Sequence, residues 1–322
     1  MNDEYSERDD IRDHYDRLSG AYRTFWGDHL HHGYWEAGEE LSQSVAQVRL
    51  IEQLAARAGI AAGSRVLDIG CGLGGSSRWL AQNLDCSVMG ITLSPVQVEI
   101  ATLAARKVGL GGRVRFEVRD ANQLDLPPAS FDAVWVVECS EHLPDKREFI
   151  ESCARVLRPG GSLALCAWLR SDVLSEPDEQ LVQQVCEGML CPSLGSLSEY
   201  VAWMDKAGFD RIEAEDITPR VAQTWTRCAA LLNRPEVKAL LRVSDARLHR
   251  FAESFAAMSR AYETGAMGYG IFAARKREAA TSDVLGCNQY AARFNERSIE
   301  PIQIGGERVF QRALSGTLKP MP

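Results

Sequence analysis

The most constraining feature of this sequence is an apolar run that leads directly into a glycine cluster. Residues 66–75 read VLDIGCGLGG, and a helical pattern follows them. Because glycine adopts backbone conformations that are closed to other residues, this pattern predicts a strand, a tight turn and a helix N-terminus. The free N–H groups at such a helix start favour a polar or anionic ligand. The sequence therefore predicts a site for a nucleoside-like cofactor.

The residues around the glycines narrow the choice of cofactor. Gly70, Gly72 and Gly75 satisfy the G-x-G-x-x-G pattern of dinucleotide-binding proteins, which alone is a weak signal. Asp68 would crowd a pyrophosphate, and the next strand ends at Thr92 without the acid that holds a dinucleotide ribose. S-adenosylmethionine (SAM) lacks phosphate and has a cationic amino-acid end, so the sequence favours SAM over nicotinamide or flavin. The alternative is a glycine turn that only packs a helix on the sheet.

Strand and helix patterns alternate along most of the chain. The predicted strands are 65–69, 86–91, 113–118, 132–138, 161–167, 211–217 and 268–274. The predicted helices are 41–59, 74–84, 95–109, 146–157 (closed by Pro159, Gly160 and Gly161) and 197–209. This order predicts an α/β fold with a doubly wound, mostly parallel, Rossmann-like sheet of seven strands. The carboxyl ends of its strands should form the ligand crevice.

Three parts of the chain fall outside this alternation. We predict an N-terminal lid segment over residues 1–40 and an α/β domain over residues 41–276. Helical insertions at about 170–195 and 217–265 interrupt that domain and are expected to complete the lid. Residues 277–322 form a tail to which the sequence assigns no role.

Composition and charge exclude several classes of partner and location. The net charge of −8 comes without a stretch rich in Lys and Arg, so nucleic acid is not an expected partner. No apolar run is long enough for an integral membrane segment, and no signal peptide is evident. The nine cysteines are scattered without a C-x-x-C pair, which predicts reduced thiols and a cytoplasmic protein.

A second chemical signal follows the fourth predicted strand. The stretch 138–146 reads ECSEHLPDK, which brings Glu138, Glu141 and His142 to the mouth of the crevice. A histidine can accept a proton near neutral pH, so His142 is a candidate general base. The alternative is that Glu138 only caps the turn and His142 is a packed surface histidine.

Three sequence blocks carry a family resemblance. The stretch 138–146, the stretch GITLSPVQ at 90–97 and the stretch WGDHLHHGY at 26–34 accompany the D-x-G-x-G-x-G motif at 68–74. Together they resemble class I SAM-dependent methyltransferases, and among these the gamma-tocopherol methyltransferases and their small-molecule relatives. The resemblance covers about residues 11–276. It implies methyl transfer from SAM to a small, lipophilic acceptor such as a prenylated phenol, at carbon, nitrogen or oxygen.

The resemblance also implies a set of cofactor-binding residues. They are Tyr15, His31, Asp68, Gly70, Gly72, Thr92, Leu93, Gln97, Asp120, Ala121 and Glu138. Thr92 and Gln97 are expected to hold the ribose through neutral hydrogen bonds, and Asp120 with Ala121 to hold the adenine. Tyr15 and His31, with His32, are expected to hold the carboxylate of SAM. The alternatives are a solvated Gln97 and an Asp120 that only forms a turn.

The expected catalytic residues are His142, Glu138 and Tyr22. His142 is the predicted acid–base residue, and Glu138 and Tyr22 are expected to position it. The resemblance to phosphoethanolamine methyltransferases implies that Tyr22 pairs with His142, although Tyr22 can also serve helix packing. No metal site is predicted, because the histidines at 29, 31, 32 and 142 lack the spacing typical of metal ligands.

Three other functions remain as alternatives. Enzymes that methylate base amines carry Asn/Asp-Pro-Pro-Tyr/Phe after the fourth strand, where this chain has ECSE at 138–141. A protein or nucleic-acid methyltransferase is the second hypothesis, and the absence of this motif counts against it. A non-catalytic SAM-binding module is the third, and a nicotinamide oxidoreductase is disfavoured by Asp68 and Thr92.

Overall fold

A seven-stranded sheet runs through the computed structural model, which describes residues 3–242 and 244–278. The strands are β1 Arg65–Ile69, β2 Ser87–Thr92, β3 Val114–Val118, β4 Phe131–Val137, β5 Leu157–Arg170, β6 Phe209–Asp216 and β7 Met267–Lys276. Their order across the sheet is β3-β2-β1-β4-β5-β7-β6. All neighbours are parallel except β7, which is antiparallel to β5 and to β6. The prediction of a mostly parallel, doubly wound sheet is confirmed.

Helices connect the strands and extend beyond the sheet. They are α1 Asp3–Phe25, α2 Gln43–Ala58, α3 Gly75–Asn83, α4 Pro95–Lys107, α5 Lys146–Val156, α6 Glu176–Met189, α7 Leu197–Lys206, α8 Thr218–Val221, α9 Gln223–Leu232, α10 Pro235–Arg242 and α11 Ala246–Thr264. Side-chain oxygens accept the free N–H groups at several of their starts, as Ser94 does for α4 and Asp145 for α5. Among the described residues, no helix has both the length and the apolar character needed to cross a membrane.

The core has a layer on each face of the sheet. One layer packs the sheet against α2, α3 and α4, and the other packs it against α5 and α7. Successive strand residues point to opposite faces, so that Val66 of β1 joins the first layer and Leu67 joins the second. A third apolar cluster lies beyond the sheet, where α6, α9 and α11 pack together with the ends of β5 and β7.

Several predicted boundaries differ from the structure: the helix predicted at 197–209 ends at Lys206 because Phe209 begins β6, and two further differences affect β4 and β5. The fourth strand ends at Val137, and Glu138 follows it with a positive φ of 52°. The Pro159–Gly161 stretch does not separate a helix from a strand, because Leu157 already pairs with Phe131 of β4. The register then shifts between Phe131 and Ala133, which accommodates the proline and glycines within β5.

The helix α1 lies at the carboxyl edge of the sheet. Ser94 at the start of α4 donates a hydrogen bond to Asp16 of α1. On the other side, Arg17 pairs with Asp245 at 3.1 Å, and a further pair joins α1 to Arg247 of α11. These contacts hold α1 across the ends of the strands. The predicted tail lies outside the described residues from residue 279 onward.

Candidate functional site

The glycine turn forms one wall of a cavity at the carboxyl ends of β1, β2 and β4. Gly70, Gly72 and Gly74 have φ values of 74°, 51° and 73°, a region that L side chains rarely adopt. A Cβ atom at Gly70 would lie 2.5 Å from the Cys139 side chain, so a larger residue does not fit there. The cavity has a volume of about 120 Å³. We call it the glycine-turn cavity.

Of the residues that the sequence assigns to cofactor binding, all but His32 line this one cavity, and His32 lines a second cavity described below. The set is Tyr15, His31, Asp68, Gly70, Gly72, Thr92, Leu93, Gln97, Asp120, Ala121 and Glu138. His142 lines the cavity as well, whereas Tyr22 does not. The structure therefore brings the predicted residues together, and their individual binding roles stay predictions.

Thr92 and Gln97 form a neutral polar pair at the end of β2. The Thr92 hydroxyl donates to Gln97 Oε1 at 2.7 Å and accepts the Ser94 N–H at 3.3 Å. This bond uses the amide oxygen of Gln97 and leaves its NH₂ group as a donor. Both side chains are buried, so Gln97 is not a solvated helix residue. The pair can offer neutral hydrogen bonds to ribose hydroxyls.

Two carboxyl groups line the cavity, Asp68 on β1 and Asp120 after β3. Burial raises the pKa of Asp68 to about 7, although a hydrogen bond from Ser77 counteracts part of this shift. Asp120 accepts the Asn122 N–H at 2.9 Å, which is the turn geometry of the plainer alternative. Its other oxygen lies 3.2 Å from Arg8 Nε of α1, so α1 reaches the residue predicted to hold the adenine.

The geometry of His31 changes its expected role. Its Nδ1 lies 2.8 Å from the carbonyl oxygen of His32, so Nδ1 carries the proton and donates. Burial lowers the pKa of His31, which favours the neutral ring. The buried Nε2 then has a free lone pair and no partner within the described chain. This atom can accept a hydrogen bond from an ammonium group, and it cannot donate one to a carboxylate as expected.

A second cavity adjoins the glycine-turn cavity. It has a volume of about 200 Å³ and mostly apolar walls from α1, α6, α9, α10 and α11, and we call it the apolar chamber. Its walls include Leu18, Phe25, Trp26, Trp168, Trp225, Leu232, Leu241, Phe251 and Phe255. The residues that line both cavities are Tyr15, Leu30, His31, Glu138 and His142. The two cavities therefore meet at a mainly polar boundary.

His142 is held at this boundary by one hydrogen bond on each ring nitrogen. Nδ1 lies 3.0 Å from the carbonyl oxygen of Leu190, so Nδ1 donates and Nε2 is the basic atom. Nε2 accepts the Tyr15 hydroxyl at 3.0 Å. Burial lowers the pKa of His142, which keeps the ring neutral near neutral pH.

The predicted pairing of Tyr22 with His142 is wrong. The Tyr22 hydroxyl lies 2.8 Å from His14 Nε2, and Tyr15 occupies the position beside His142. Tyr15 and Tyr22 are seven residues apart on α1, so they share one face of the helix. The sequence spacing placed both on the correct face, but it did not show which helical turn lies opposite His142.

Glu138 is an ionised carboxylate with four donors. Oε1 accepts the His32 N–H at 2.7 Å, His32 Nδ1 at 2.9 Å and the Tyr269 hydroxyl at 2.7 Å. Oε2 accepts Trp168 Nε1 at 3.0 Å. Burial alone would raise its pKa, but the charge and hydrogen bonds of His32 lower it to about 2. No hydrogen bond joins Glu138 to His142 in the described chain, so the expected direct positioning of His142 is wrong.

The sequence contained little signal for these partners of Glu138. His32 belongs to the block at 26–34, where the sequence predicted that it holds the carboxylate of SAM, but its N–H and Nδ1 instead bond to Glu138. Tyr269 and Trp168 lie on β7 and β5, and only the pairing of those strands brings them to the same place. Within the described chain, no group of three His, Cys, Asp or Glu side chains is arranged to hold a metal.

Comparison with known proteins establishes the family to which this chain belongs. The family model described as a methyltransferase domain matches residues 67–165. The probable tocopherol O-methyltransferase of Oryza sativa is 36% identical over 279 residues, which cover 82% of this chain and 77% of that protein. The chain belongs to the class I SAM-dependent methyltransferases. It is therefore an enzyme of methyl transfer, and SAM is its cofactor.

One further relative is also named as a methyltransferase, and two solved structures share the fold, of which one is named for a different reaction. The 27-O-demethylrifamycin SV methyltransferase of Amycolatopsis mediterranei is 38% identical over 264 residues, covering 81% of this chain and 95% of that protein. Among solved structures, the [4+2]-cyclase SpnF is 27% identical with a TM-score of 0.68, covering 84% and 96% of the two chains. A putative sarcosine dimethylglycine methyltransferase from Galdieria sulphuraria has a TM-score of 0.70 at 22% identity, covering 82% and 99%, and shows the fold alone.

The glycine-turn cavity fits the amino-acid and nucleoside parts of SAM. The turn at Gly70 leaves no room for a side chain, which keeps the backbone open to a ligand. The unpaired His31 Nε2 suits the ammonium group of SAM, and Gln97 offers a donor at the other end. The residues that line this cavity therefore fit SAM, and their individual roles remain predictions.

Proposed function

We propose that this methyltransferase transfers the methyl group of SAM to a small lipophilic acceptor that binds in the apolar chamber. The observation that carries the proposal is the shared boundary of the two cavities. An acceptor in the chamber faces the SAM site across Tyr15, Glu138 and His142. The chamber walls are otherwise mainly aromatic and aliphatic, which suits a ring with an apolar side chain.

The chain's own residues contribute alignment, exclusion of water and proton transfer. SAM supplies an electrophilic methyl group on a sulfonium, so alignment alone provides a large part of the acceleration. An O–H or N–H acceptor must also lose a proton. We infer that this proton passes to the Tyr15 hydroxyl oxygen while the Tyr15 proton passes to His142 Nε2. The Leu190 carbonyl holds His142 Nδ1–H and stabilises the charged ring that forms.

Glu138 has an electrostatic role in this proposal. Four hydrogen-bond donors stabilise its ionised form, so Glu138 remains an anion and does not take up the proton of the acceptor. A fixed negative charge between the two cavities favours a positive group on either side. The αL backbone of Glu138, with φ 52°, is a strained conformation that functional sites often retain.

The lid belongs to the proposal as well. Residues 1–40 act as the lid, residues 41–276 as the methyltransferase domain and residues 277–322 as a tail of unknown role. Tyr15 and Ile11 of α1 line the glycine-turn cavity, and Leu18 and Phe25 line the apolar chamber. Closure of α1 over both ligands would exclude water during transfer.

The acceptor class follows from the chamber and from the relatives. The relatives are named for tocopherol, for 27-O-demethylrifamycin SV and, in Synechocystis, for 2-methyl-6-phytyl-1,4-hydroquinone. We propose a neutral or weakly basic lipophile of this kind rather than nucleic acid or protein. The net charge of −8 opposes binding to phosphates, and the chamber is small compared with a folded partner. Free cysteines in the described chain support a cytoplasmic location.

The test is methyl transfer from labelled SAM to a panel of acceptors. The panel contains prenylated hydroquinones, macrocycles with free hydroxyls, lipophilic amines, a peptide library and RNA. We expect label in a lipophile. Ala252→Trp, which fills the apolar chamber, should abolish transfer while SAM affinity stays within about threefold. Ala239→Trp on the exposed face of α10 is the matched control and should leave both unchanged. Label only in peptide or RNA, or full activity of Ala252→Trp, would contradict the proposal.

A further inference from the structure

Glu141 is a buried carboxyl group of the apolar chamber that the proposed mechanism does not use. It lies in the short 3-10 helix Ser140–His142, directly before His142, and its relative exposure is 2%. It lines the apolar chamber and does not line the glycine-turn cavity, unlike Glu138 and His142. Its position therefore relates it to the acceptor rather than to SAM.

The two carboxyl oxygens of Glu141 have different surroundings. Oε1 accepts the backbone N–H of Trp168 at 2.6 Å. Oε2 is buried, and no other residue of the described chain bonds to it. Leaving a buried polar atom without a partner is unfavourable, and such atoms are rare in folded proteins. Because Glu141 lines the apolar chamber, a ligand bound there can supply the partner that Oε2 lacks within the described chain.

The surroundings also decide which hydrogen-bonding role Oε2 can have. Burial, with the negative charge of Glu138 as the next cause, raises the pKa of Glu141 to about 8. Burial therefore favours the protonated form of Glu141 near neutral pH, although the charge of the buried Lys146 opposes part of this shift. Because Oε1 accepts the Trp168 N–H, the proton belongs on Oε2, which makes Oε2 a donor.

The turn that carries Glu141 is fixed on both sides. The Ser140 hydroxyl lies 2.7 Å from the Tyr200 hydroxyl, and the buried Lys146 donates to the Leu143 carbonyl at 2.9 Å and to Ser193 at 3.1 Å. A carboxyl group on such a turn has little freedom to move away from the chamber. It is therefore positioned before the acceptor arrives, which reduces the entropic cost of binding.

We propose that Glu141 binds the acceptor, with Oε2 donating a hydrogen bond to an oxygen atom of a neutral, oxygenated lipophile. The proposal rests on the proposed function, because it assumes that the acceptor occupies the apolar chamber. It makes Glu141 a residue of acceptor specificity, distinct from the Tyr15–His142 pair that handles the proton. A hydroxyl, ether or carbonyl oxygen can accept this bond, whereas a hydrocarbon cannot.

Binding of two matched probes tests the proposal. The first probe is 2-methyl-6-phytyl-1,4-hydroquinone, handled without oxygen, and the second is the same ring and side chain without its two hydroxyl groups. Each is titrated into the protein with bound S-adenosylhomocysteine, and fluorescence of the tryptophans that line the chamber reports binding. The wild-type protein should bind the hydroquinone about tenfold more tightly than the hydrocarbon.

Two substitutions at Glu141 separate recognition from structural support. Glu141→Gln keeps an oxygen for the Trp168 N–H and a donor for the ligand, so it should bind the hydroquinone within about threefold of wild type. Glu141→Met has a similar volume but neither group, so it should lose about tenfold for the hydroquinone and nothing for the hydrocarbon. Glu151→Met, on the exposed face of α5, is the control and should change neither.

The outcomes distinguish this inference from the proposed function. If the wild-type protein binds neither probe, both the inference and the acceptor class are overturned. If it binds the hydroquinone and Glu141→Met binds it equally well, only the inference fails. A loss of the same size for both probes shows that Glu141 only supports β5 through Trp168, which also overturns the inference.

Discussion

Replacing Tyr15 with phenylalanine removes one hydroxyl group and leaves the ring in its packing against His14 and His142. The lost bond is the 3.0 Å contact with His142 Nε2, which then has no partner at the boundary of the cavities. One such hydrogen bond contributes about 1 kcal/mol to the free energy of unfolding. In a domain of this size that lowers the midpoint of thermal unfolding by about 2–4 °C.

The effect of Tyr15→Phe on the reaction should be much larger than its effect on stability. If Tyr15 passes the acceptor proton to His142, its loss should lower kcat by about 10²–10⁴, the usual range for general-base catalysis. A residue that only positions His142 would cost less than about tenfold. The assay is single-turnover methyl transfer at saturating SAM, with thermal unfolding measured on the same preparations.

Tyr22→Phe is the matched control, because it removes an equivalent bond from the same face of the same helix. The Tyr22 hydroxyl lies 2.8 Å from His14 Nε2. Tyr22, like Tyr15, lines the apolar chamber. It should therefore match Tyr15→Phe in stability and retain turnover within about tenfold of wild type. Near-normal turnover of Tyr15→Phe, or equal losses in the two variants, would refute the relay through Tyr15.

The remaining predictions concern the cofactor site and its pH dependence. Because burial lowers the pKa of His142, wild-type kcat should stay constant near neutral pH and fall only in acid below about pH 6.5, and His142→Ala should lack this acid limb. Gly70→Val should abolish SAM binding in calorimetry with the fold intact by circular dichroism, while Gly112→Ala, which meets no atom within 4 Å, should bind normally. Amide exchange across α1 should slow when SAM binds, and equal exchange with and without SAM would count against a lid. Burial raises the pKa of Asp68 from 3.8 to about 7. The protonated side chain therefore stabilises the folded state fully below about pH 3.8, and this stabilisation is lost as the pH rises to about 7. Glu141 and the buried histidines titrate in the same range, so the test is the difference in the free energy of unfolding, without SAM, between the wild type and Asp68→Asn. That difference should change by up to about 1.4 kcal/mol per pH unit across this range.

The sequence predicted the sheet and the cofactor cavity because their signals are local. The strand before Gly70 and the turn after it lie within a dozen residues, and strand–helix alternation fixes where such a turn sits in the sheet. Thr92 is the last residue of β2 and Asp120 follows β3. Because these neighbouring strands are parallel, both residues lie at the same carboxyl edge of the sheet. The predicted cofactor residues other than His32 consequently line one cavity.

The catalytic partners could not be predicted in the same way, because their contacts are long-range. Tyr15 and His142 are 127 positions apart, and the choice between Tyr15 and Tyr22 depends on how far α1 extends along the crevice. Tyr269 reaches Glu138 only through the antiparallel pairing of β7 with β5. The tautomer of His31 depends on a backbone carbonyl whose direction no residue pattern specifies.

The position of α1 has a kinetic consequence, because one helix forms part of the wall of both cavities. Ile11 lines the first cavity, Leu18 lines the second, and Tyr15 lines both. If α1 is the lid that we propose, a single displacement of the helix would open both compartments, and its return would enclose the contents of both. Release of the spent cofactor would then be coupled to departure of the methylated product through one opening event. Slow opening would limit turnover even when the transfer itself is fast.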